Sequence, residues 1–399
     1  MKQIITPGHL AGTVCVPPSK SQAHRAVIAA ALAGGGSQIE NLVLSQDISA
    51  TMQAMSCFAA LSFADGVMTA QKGAPVLEEE LTFDCNESGS TIRFLIPLAL
   101  TLGKKVHFTG RGRLLERPLD PYFDICDTFG ITYERTADKI SFCGKLSAGD
   151  FALPGNISSQ FITGLLFALP LLSGDSTITL TTEAESVGYI DMTLEILSLF
   201  GIEVERKDVC HYFIPGGQSY KPYSMRVEGD YSQAAFYLCA NAMGSRVDVQ
   251  GLSDASCQGD KAILSVIRQF GSPLSAIDLD VSQIPDLVPV LAVLATQAEG
   301  TTHLTGAARL RIKESDRLET TTDMLTRFGA QVTEGADSLA IVGKTPLLGC
   351  TIDSHNDHRI AMAAAIGATV ASGEVTILGS ECVAKSYGNF WQDYEALKK

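Results

Sequence analysis

The sequence predicts an α/β protein of two domains, assembled from six copies of one unit. Its 399 residues exceed the size at which a single hydrophobic core stops growing, which favours two domains. Apolar helical stretches end repeatedly in glycine and are followed by a short β-branched run, at intervals of roughly 70 residues. These glycines are Gly34, Gly103, Gly174, Gly244, Gly300 and Gly373. A second series of Phe-Gly pairs interleaves with the first, at Phe129, Phe200, Phe270 and Phe328.

Each repeat therefore holds two helices and several strands, and six repeats divide naturally into three per domain. Chance recurrence of common helix-stopping residues is the alternative interpretation, and two interleaved series argue against it.

Composition limits the classes of partner. Hydrophobic residues make up 46% and charged residues 19% of the chain, which is typical of globular proteins and not of disordered or fibrous ones. The formal charge of −14 disfavours broad binding to nucleic acid or to an anionic membrane. Any basic cluster that binds an anion is therefore expected to lie in a pocket.

The ten cysteines indicate a reducing compartment. No two of them fall within four residues of each other, so no CxxC redox or zinc pair exists and reduced thiols are expected. The segment Met1–Pro7 lacks the apolar core of a signal peptide, and no apolar run reaches about 18 residues. We expect a cytoplasmic protein.

A polar cluster precedes the first helix of every repeat. The clusters are Ser19-Lys20-Ser21, Ser88-Gly89-Ser90-Thr91, Ser158-Ser159-Gln160, Asp230-Tyr231-Ser232, Pro285-Asp286 and Asn356-Asp357-His358-Arg359. Helix capping alone would explain the Ser, Thr, Asp and Asn residues. It does not explain the cations Lys20, Arg25, Arg93 and Arg359, because a helix N-terminus already carries partial positive charge. An anionic ligand explains them, and since the helices are apolar and buried, we expect their N-termini to converge between the domains.

The segment Arg309–Leu318 holds four cations and two acids and leads into a helical pattern. Lys313 and Arg317 are predicted to share one helix face at i and i+4. A solvated helix end is the alternative interpretation, as it is for Glu116-Arg117-Pro118 and for Lys385.

Taken in order, these motifs resemble those of a known family. The string Pro18-Ser19-Lys20-Ser21-Gln22-Ala23-His24-Arg25 is similar to the N-terminal signature of the 5-enolpyruvylshikimate-3-phosphate synthases. Further matches are Ser88 to Arg93, Glu116-Arg117-Pro118, Ser158-Ser159-Gln160, Ser186 with Tyr189, Ile284-Pro285-Asp286, Lys313 to Arg317, Asn356 to Arg359, and Lys385. The resemblance spans essentially the whole chain, and the ordered set is far more specific than any one motif.

The resemblance implies an inverse α/β barrel of two domains, each with three βαβαββ-like repeats, and a ligand cleft between the domains. Residues 1–19 and 224–399 would form a discontinuous first domain, and residues 20–223 an inserted second domain. Substrates would bind in the cleft and the domains would close over them.

The implied reaction transfers the enolpyruvyl group of phosphoenolpyruvate to the 5-hydroxyl of shikimate 3-phosphate by addition and elimination. The implied phosphoenolpyruvate ligands are Lys20, Gly89, Arg117, Gln160, Arg317, Arg359 and Lys385. The implied shikimate 3-phosphate ligands are Lys20, Ser21, Arg25, Ser158, Ser159, Gln160, Ser186, Tyr189, Asp286 and Lys313. Asp286 would accept the hydroxyl proton, Glu314 would exchange the methylene proton, and Lys20 would stabilise the leaving phosphate. No metal or organic cofactor is implied, and a monomer is expected.

Three positions depart from the family pattern: Glu87 and Arg309, where relatives carry Asn, and His24, where Asn is common. Two rival functions stay open. The sister enzyme that uses a UDP-amino sugar usually carries Cys where this chain has Gly112, five residues before Arg117. A non-catalytic scaffold that binds anions should have lost Lys20, Asp286 or Glu314, which this chain retains.

Overall fold

The computed structural model describes residues 1–73 and 78–398. The chain divides into two compact units, and the first, unit 1, comprises Met1–Ser19 and Glu228–Lys399. Unit 2 is the continuous segment Lys20–Val227. None of the helices within the described ranges has the length and apolar composition that crossing a bilayer would require.

Helices and short strands alternate along both units. The helices are α1 (Lys20–Leu32), α2 (Gln46–Met55), α3 (Gly89–Thr101), α4 (Asp120–Phe129), α5 (Ser159–Ala168), α6 (Val187–Leu199), α7 (Tyr231–Ala242), α8 (Ile263–Phe270), α9 (Val288–Ala295), α10 (Arg317–Arg327), α11 (His358–Ala368) and α12 (Phe390–Leu397). The strands are β1 (Lys2–Ile5), β2 (Ala11–Cys15), β3 (Ser37–Glu40), β4 (Ala59–Ala64), β5 (Val67–Lys72), β6 (Glu80–Asp84), β7 (Lys105–Thr109), β8 (Thr132–Arg135), β9 (Lys139–Cys143), β10 (Asp150–Leu153), β11 (Ser176–Leu180), β12 (Glu205–Arg206), β13 (His211–Ile214), β14 (Met225–Arg226), β15 (Arg246–Gln250), β16 (Asp278–Asp280), β17 (Gly300–Thr305), β18 (Gln331–Glu334), β19 (Leu339–Gly343), β20 (Thr351–Asp353) and β21 (Val375–Leu378).

Unit 2 repeats one arrangement in three four-stranded sheets, with strand orders β6-β7-β9-β8, β10-β11-β13-β12 and β14-β3-β5-β4. In each sheet the first two strands are parallel and the remaining pairs are antiparallel. The chain runs β6-α3-β7-α4-β8-β9, and the next repeat follows the same order. In the first repeat, the leading strand is supplied by β14, where Met225 pairs with Ile39. Unit 2 therefore extends to Val227.

Unit 1 holds the other three sheets, with strand orders β16-β17-β19-β18, β1-β21-β20 and β15-β2. Each again contains a parallel pair of strands. Helix α9 connects β16 to β17, α11 connects β20 to β21, and α7 precedes β15. Parallel strands require such a crossover connection, which accounts for the recurring βαβ order. The α/β fold class with six repeated units is confirmed.

The helices that begin at the polar clusters form the centre of the two cores. Every residue of α9 is buried, as is every residue of α11. The predicted caps are confirmed, since Ser88, Ser158, Asp230 and Asp357 each accept a backbone N–H of the helix that they precede. Gly130 ends α4 in the left-handed conformation directly after Phe129, as the Phe-Gly pattern predicts.

The predicted helix face shared by Lys313 and Arg317 is wrong. Helix α10 begins only at Arg317, because Asp316 caps it by accepting the backbone N–H groups of Leu318 and Glu319. Lys313 lies before the helix, in extended backbone. The two cations meet instead at a common carboxylate, that of Asp286.

Candidate active site

In unit 1 the side chain of Asp286 contacts three cations. Lys313 Nζ lies 3.1 Å and Arg317 Nη1 lies 2.8 Å from Asp286 Oδ1. Arg359 Nη2 donates to Asp286 Oδ2 at 3.1 Å, and its Nη1 donates to the Asp286 carbonyl at 3.1 Å. The turn Pro285–Leu287 holds Asp286 immediately before the buried helix α9. A carboxylate and three cations, drawn from two repeats, thus form one cluster.

Arg317 is the centre of this cluster and is almost completely buried. Its Nε donates to Asp357 Oδ2 at 2.7 Å, and its Nη2 donates to Glu314 Oε2 at 2.5 Å. Asp357 also accepts the hydroxyl of Ser315 at 3.0 Å and the backbone N–H of Arg359 at 2.9 Å. One carboxylate therefore caps α11 and fixes the guanidinium plane of Arg317.

The charges of the cluster shift its ionisation. Burial raises the pKa of Asp286, but Arg359, Lys313 and Arg317 outweigh burial and hold that pKa well below its usual range. Burial lowers the pKa of Lys313 to about 8, against the attraction of Asp286. The pKa of Arg317 is raised, because Asp357, Glu314 and Asp286 together outweigh its burial. Asp286 is therefore a carboxylate near neutral pH, whereas Lys313 approaches its titration range.

Lys385 lies in the short turn Ser380–Lys385 that follows β21. Its Nζ donates to the carbonyl of Asn356 at 2.7 Å, and Asn356 directly precedes the cap residue Asp357. Asn356 adopts a φ of 56°, a conformation uncommon for residues other than glycine. This contact brings Lys385 to the N-terminal end of α11, the helix on which Arg359 lies.

In unit 2 an ion pair joins Lys20 to Asp47. Lys20 begins α1, and its Nζ lies 2.8 Å from Asp47 Oδ2 in the first turn of α2. Both side chains are mostly buried, which makes the pair stronger than one on the surface. Ser21 follows on α1, and its backbone carbonyl accepts Arg25 Nη1 at 2.8 Å.

Arg25 is directed into the interior of unit 2. Its Nε donates to Thr193 Oγ1 at 2.8 Å, and its Nη2 donates to the carbonyl of Tyr189 at 3.0 Å and to Thr163 Oγ1 at 3.3 Å. The guanidinium also lies 5.1 Å from the ring centre of Phe94. Arg25 thus connects α1 to α5 and α6.

Arg117 lies directly against Gly89, the first residue of α3. A Cβ added to Gly89 would lie 2.5 Å from Arg117 Nη1, closer than atoms can approach. Only glycine leaves room for the guanidinium at this helix N-terminus. Arg117 follows a short turn at Leu114–Glu116 and donates its backbone N–H to the carbonyls of Arg113 and Leu114.

Gln160 lies at the N-terminal end of α5, between two side chains of α3. Its Oε1 accepts Arg93 Nη1 at 2.8 Å, and its Nε2 donates to Ser90 Oγ at 2.9 Å. Arg93 also donates to the carbonyl of Pro118 at 3.2 Å, so it joins Gln160 to the turn that carries Arg117. Ser158 caps α5 by accepting the backbone N–H of Gln160, and Ser159 is its first residue.

Ser186 and Tyr189 lie at the start of α6. Ser186 has a φ of 54° and a ψ of 47°, in the left-handed region where serine is uncommon. Its carbonyl accepts the backbone N–H of Tyr189 at 3.0 Å. In unit 2 the structure thus places most of the predicted residues at the N-terminal ends of α1, α3, α5 and α6, whereas Arg117 follows the turn Leu114–Glu116.

The structure shows the contacts of Gly112, which distinguishes this chain from the sister enzyme, and of the departures Glu87 and Arg309. Gly112 has a φ of 56°, and a Cβ there would meet Glu87 Oε2 at 3.0 Å. A cysteine at Gly112 would therefore be strained and crowded by Glu87. Arg309 is buried, and its Nη2 donates to the carbonyl of Ser282 at 2.6 Å.

Three carboxylates were missed as site residues by sequence reasoning: Asp47, Asp357 and Asp260. Asp260 is buried and accepts the hydroxyl of Ser232 on α7. Burial, followed by the negative charge of Asp286, raises the pKa of Asp260 to about 6. Asp47 and Asp357 are close to helix starts, where capping suffices to explain an acid. Only contacts with residues distant in sequence distinguish these acids from ordinary helix caps.

Within the described ranges, no group of His, Cys, Asp and Glu side chains forms a metal-binding cluster.

Residues 4–394 match the family of EPSP synthase (3-phosphoshikimate 1-carboxyvinyltransferase). A 3-phosphoshikimate 1-carboxyvinyltransferase from Clostridium acetobutylicum is 47% identical, over 98% of this chain and 96% of the relative. The enzyme of the same name from Clostridium kluyveri is 45% identical, over 98% of this chain and 96% of the relative.

Solved structures agree with the sequence matches. EPSP synthase from Acinetobacter baumannii superposes with a TM-score of 0.82 at 26% identity, covering 100% of this chain and 98% of that one. The enolpyruvyl transferase NikO from Streptomyces tendae gives a TM-score of 0.81 at 17% identity, covering 99% of this chain and 97% of that one, and supports the fold alone. The chain therefore belongs to the EPSP synthase family.

Proposed function

We propose that this chain transfers the enolpyruvyl group of phosphoenolpyruvate to the 5-hydroxyl of shikimate 3-phosphate and releases phosphate. The observation that carries the proposal is the Asp286 carboxylate, held by Lys313, Arg317 and Arg359 in a chain of the EPSP synthase family. A carboxylate and several cations are what this addition needs, because it removes one proton while two anionic substrates react. The rival UDP-amino sugar acceptor is disfavoured by the constrained position of Gly112.

The proposed ligands of phosphoenolpyruvate are those that the family resemblance implies. Unit 1 supplies Arg317, Arg359 and Lys385 to phosphoenolpyruvate, and unit 2 supplies Lys20, Gly89, Arg117 and Gln160. Arginine forks suit the carboxylate and phosphate of this substrate, whereas lysine supplies compact charge. The close contact of Gly89 with Arg117 supports this assignment, since it leaves backbone N–H groups and a guanidinium side by side at a helix N-terminus.

The acceptor ligands are Lys20, Ser21, Arg25, Ser158, Ser159, Gln160, Ser186, Tyr189, Asp286 and Lys313. Lys313 and the serines bind phosphate and ring hydroxyls in this assignment. Arg25 donates to the backbone carbonyls of Ser21 and Tyr189, so it also holds two of the other proposed ligands in place.

Asp286 acts as the base in this mechanism. Burial raises the pKa of Asp286, but Arg359, Lys313 and Arg317 hold it low, which makes Asp286 a weak base. When substrate anions bind Arg317 and Arg359, those positive charges are neutralised and the pKa of Asp286 rises. Asp286 then accepts the proton of the 5-hydroxyl as its oxygen attacks C2 of phosphoenolpyruvate. Substrate binding thereby activates its own base.

Glu314 delivers a proton to C3 during the addition and removes one during the elimination, when phosphate leaves the tetrahedral intermediate. Its contact with Arg317 at 2.5 Å supports this role, because it places the carboxylate beside a proposed ligand of phosphoenolpyruvate. Lys20 stabilises the departing phosphate, and Asp47 holds its ammonium in position at 2.8 Å.

The chain works in the cytoplasm as a monomer in this proposal. All ten cysteines are free thiols, which fits a reducing compartment. The oligomeric state is measured by sedimentation of the full chain.

Deuterium exchange tests the proposed acid–base roles. The wild-type chain is incubated in D2O with both substrates, and deuterium at C3 of recovered phosphoenolpyruvate is measured by mass spectrometry. Reversible addition should introduce deuterium, and Glu314→Gln should slow the exchange about 100-fold or more. Near-normal exchange and turnover in Glu314→Gln would remove that residue from the mechanism.

A further inference from the structure

A chain of hydrogen bonds crosses the interior of unit 2 from α1 to α3. His24 Nδ1 lies 2.7 Å from Thr51 Oγ1, and Thr51 Oγ1 lies 2.7 Å from Thr91 Oγ1. Thr91 Oγ1 donates to Ser88 Oγ at 2.7 Å. Each of these four residues is buried. We name this set the His24 chain.

The His24 chain has a preferred direction. Burial, followed by the positive charges of Lys20 and Arg25, lowers the pKa of His24 well below its usual value, so the ring is neutral. Within the described residues, His24 Nε2 is buried without a hydrogen-bond partner. An orphaned N–H is rarer in proteins than an under-satisfied acceptor, so the proton belongs on Nδ1. His24 then donates to Thr51, Thr51 to Thr91, and Thr91 to Ser88.

Both ends of the His24 chain lie beside residues proposed to bind phosphoenolpyruvate. His24 is four residues after Lys20 on α1, one helical turn away. Ser88 caps α3 directly before Gly89, whose Cα faces Arg117. Midway, Thr91 Oγ1 also lies 3.5 Å from the carbonyl of Asp47, the residue that holds Lys20. The His24 chain thus links α1, α2 and the N-terminal end of α3.

We propose that the His24 chain is a positioning network that aligns Lys20 with the N-terminus of α3, and thereby sets the affinity for phosphoenolpyruvate. The proposal rests on the proposed function. At the α3 end, the His24 chain lies beside Gly89 and Arg117, which are proposed to bind phosphoenolpyruvate alone. At the α1 end, Lys20 is proposed to bind both substrates. The shikimate 3-phosphate ligands on α5 and α6 lie outside the His24 chain. Loss of the His24 chain should therefore raise KM for phosphoenolpyruvate more than KM for shikimate 3-phosphate.

The test compares Michaelis constants of isosteric variants. Thr51→Val removes the central hydroxyl while keeping its shape, and Thr51→Ser restores a hydroxyl. Thr51→Val should raise KM for phosphoenolpyruvate about three- to tenfold, with KM for shikimate 3-phosphate within about twofold of wild type. Thr51→Ser should restore KM for phosphoenolpyruvate to near the wild-type value.

Tyr220→Phe is the matched control, because it deletes another buried hydrogen bond of unit 2, from Tyr220 to the carbonyl of Phe167.

Equal increases in both Michaelis constants, or an effect no larger than that of Tyr220→Phe, would overturn the proposal. A second measurement does not depend on turnover: nitrogen-15 NMR of the histidines, with His24 assigned through His24→Gln. The proton should be on Nδ1 and should remain there through the neutral range. A proton on Nε2 would contradict the directed chain. Absence of phosphate release by the wild-type protein would instead contradict the proposed function. The NMR result would still show whether the hydrogen bonds of the His24 chain have the proposed direction.

Discussion

Arg317 Nη1 donates a 2.8 Å hydrogen bond to Asp286 Oδ1, so a proposed ligand of phosphoenolpyruvate is paired with the proposed base. The same guanidinium is anchored by Asp357 through Nε at 2.7 Å. The anchor leaves Arg317 in place when a substrate anion competes for Nη1. In the proposed mechanism, this pairing keeps the pKa of Asp286 low until a substrate anion binds Arg317.

Asp286→Asn tests this coupling. The variant should lose about 100- to 10,000-fold in kcat, because an amide cannot accept the hydroxyl proton. Its KM for phosphoenolpyruvate should stay the same or fall, since Lys313, Arg317 and Arg359 no longer face a competing carboxylate. Asp323→Asn, which removes a surface partner of Arg327, should behave as wild type. A raised KM with normal kcat would assign Asp286 to binding and not to catalysis.

Gly89→Ala tests the close approach of α3 to Arg117. The new Cβ would lie 2.5 Å from Arg117 Nη1, so the guanidinium must move. KM for phosphoenolpyruvate should rise about tenfold or more, because a charge-assisted hydrogen bond contributes about 1.5–3 kcal/mol. The control is Gly388→Ala, where an added Cβ meets no atom within 4 Å. An unchanged KM in Gly89→Ala would show that Arg117 does not bind this substrate.

Lys313 should produce an alkaline limb in the activity profile. Its pKa is lowered to about 8, by burial and by Arg317 and Arg309, against the attraction of Asp286 and Glu314. A lowered lysine pKa means that the positive charge is lost as the pH rises through about 8. We expect kcat/KM for shikimate 3-phosphate to fall above about pH 8 and the fall to move to higher pH in Lys313→Arg, which stays charged. Lys105→Arg, altering an exposed ion pair, should leave the profile unchanged. An identical alkaline limb in Lys313→Arg would assign the titration elsewhere.

Asp260 should make unit 1 less stable as the pH rises. Its pKa is raised by burial and by Asp286 from 3.8 to about 6, against the attraction of Arg359 and the hydrogen bond from Ser232. A carboxyl with a raised folded pKa contributes stability that is full below 3.8 and is lost as the pH passes 6. The wild type should therefore lose about 1–2 kcal/mol between about pH 5 and pH 8, and Asp260→Asn should not.

The single tryptophan, Trp391 on α12, reports unfolding of unit 1 by its fluorescence in denaturant. The exposed Asp278→Asn is the control, and it should retain the wild-type pH dependence. An Asp260→Asn variant that loses stability with pH just as the wild type does would show that another group titrates.

The repeat pattern predicts the fold well because its signals are local. Ser88, Ser158, Asp230 and Asp357 cap the helices that they precede, since capping depends on a few neighbouring residues. The pairing of β14 with β3 could not be predicted from local signals, because Met225 and Ile39 lie near opposite ends of the unit 2 sequence.

Sequence reasoning names Lys313, Arg317 and Arg359, which the structure brings into contact with Asp286, but it does not name Asp357 or Asp47 as site residues. The Arg317–Asp357 and Lys20–Asp47 contacts join residues 40 and 27 positions apart, and no local pattern indicates such a pair. Lys313 and Arg317 were placed on one helix face because the spacing allows it. The cap at Asp316 starts the helix too late for that arrangement.

Phosphate release with two alternative acceptors tests the central claim most directly. The purified full chain is mixed with phosphoenolpyruvate and either shikimate 3-phosphate or UDP-N-acetylglucosamine, with a metal chelator present throughout. We expect release with shikimate 3-phosphate alone, and loss of that release in Asp286→Asn. Release only with the UDP-sugar would contradict the proposed acceptor, and no release with either would contradict the proposed function.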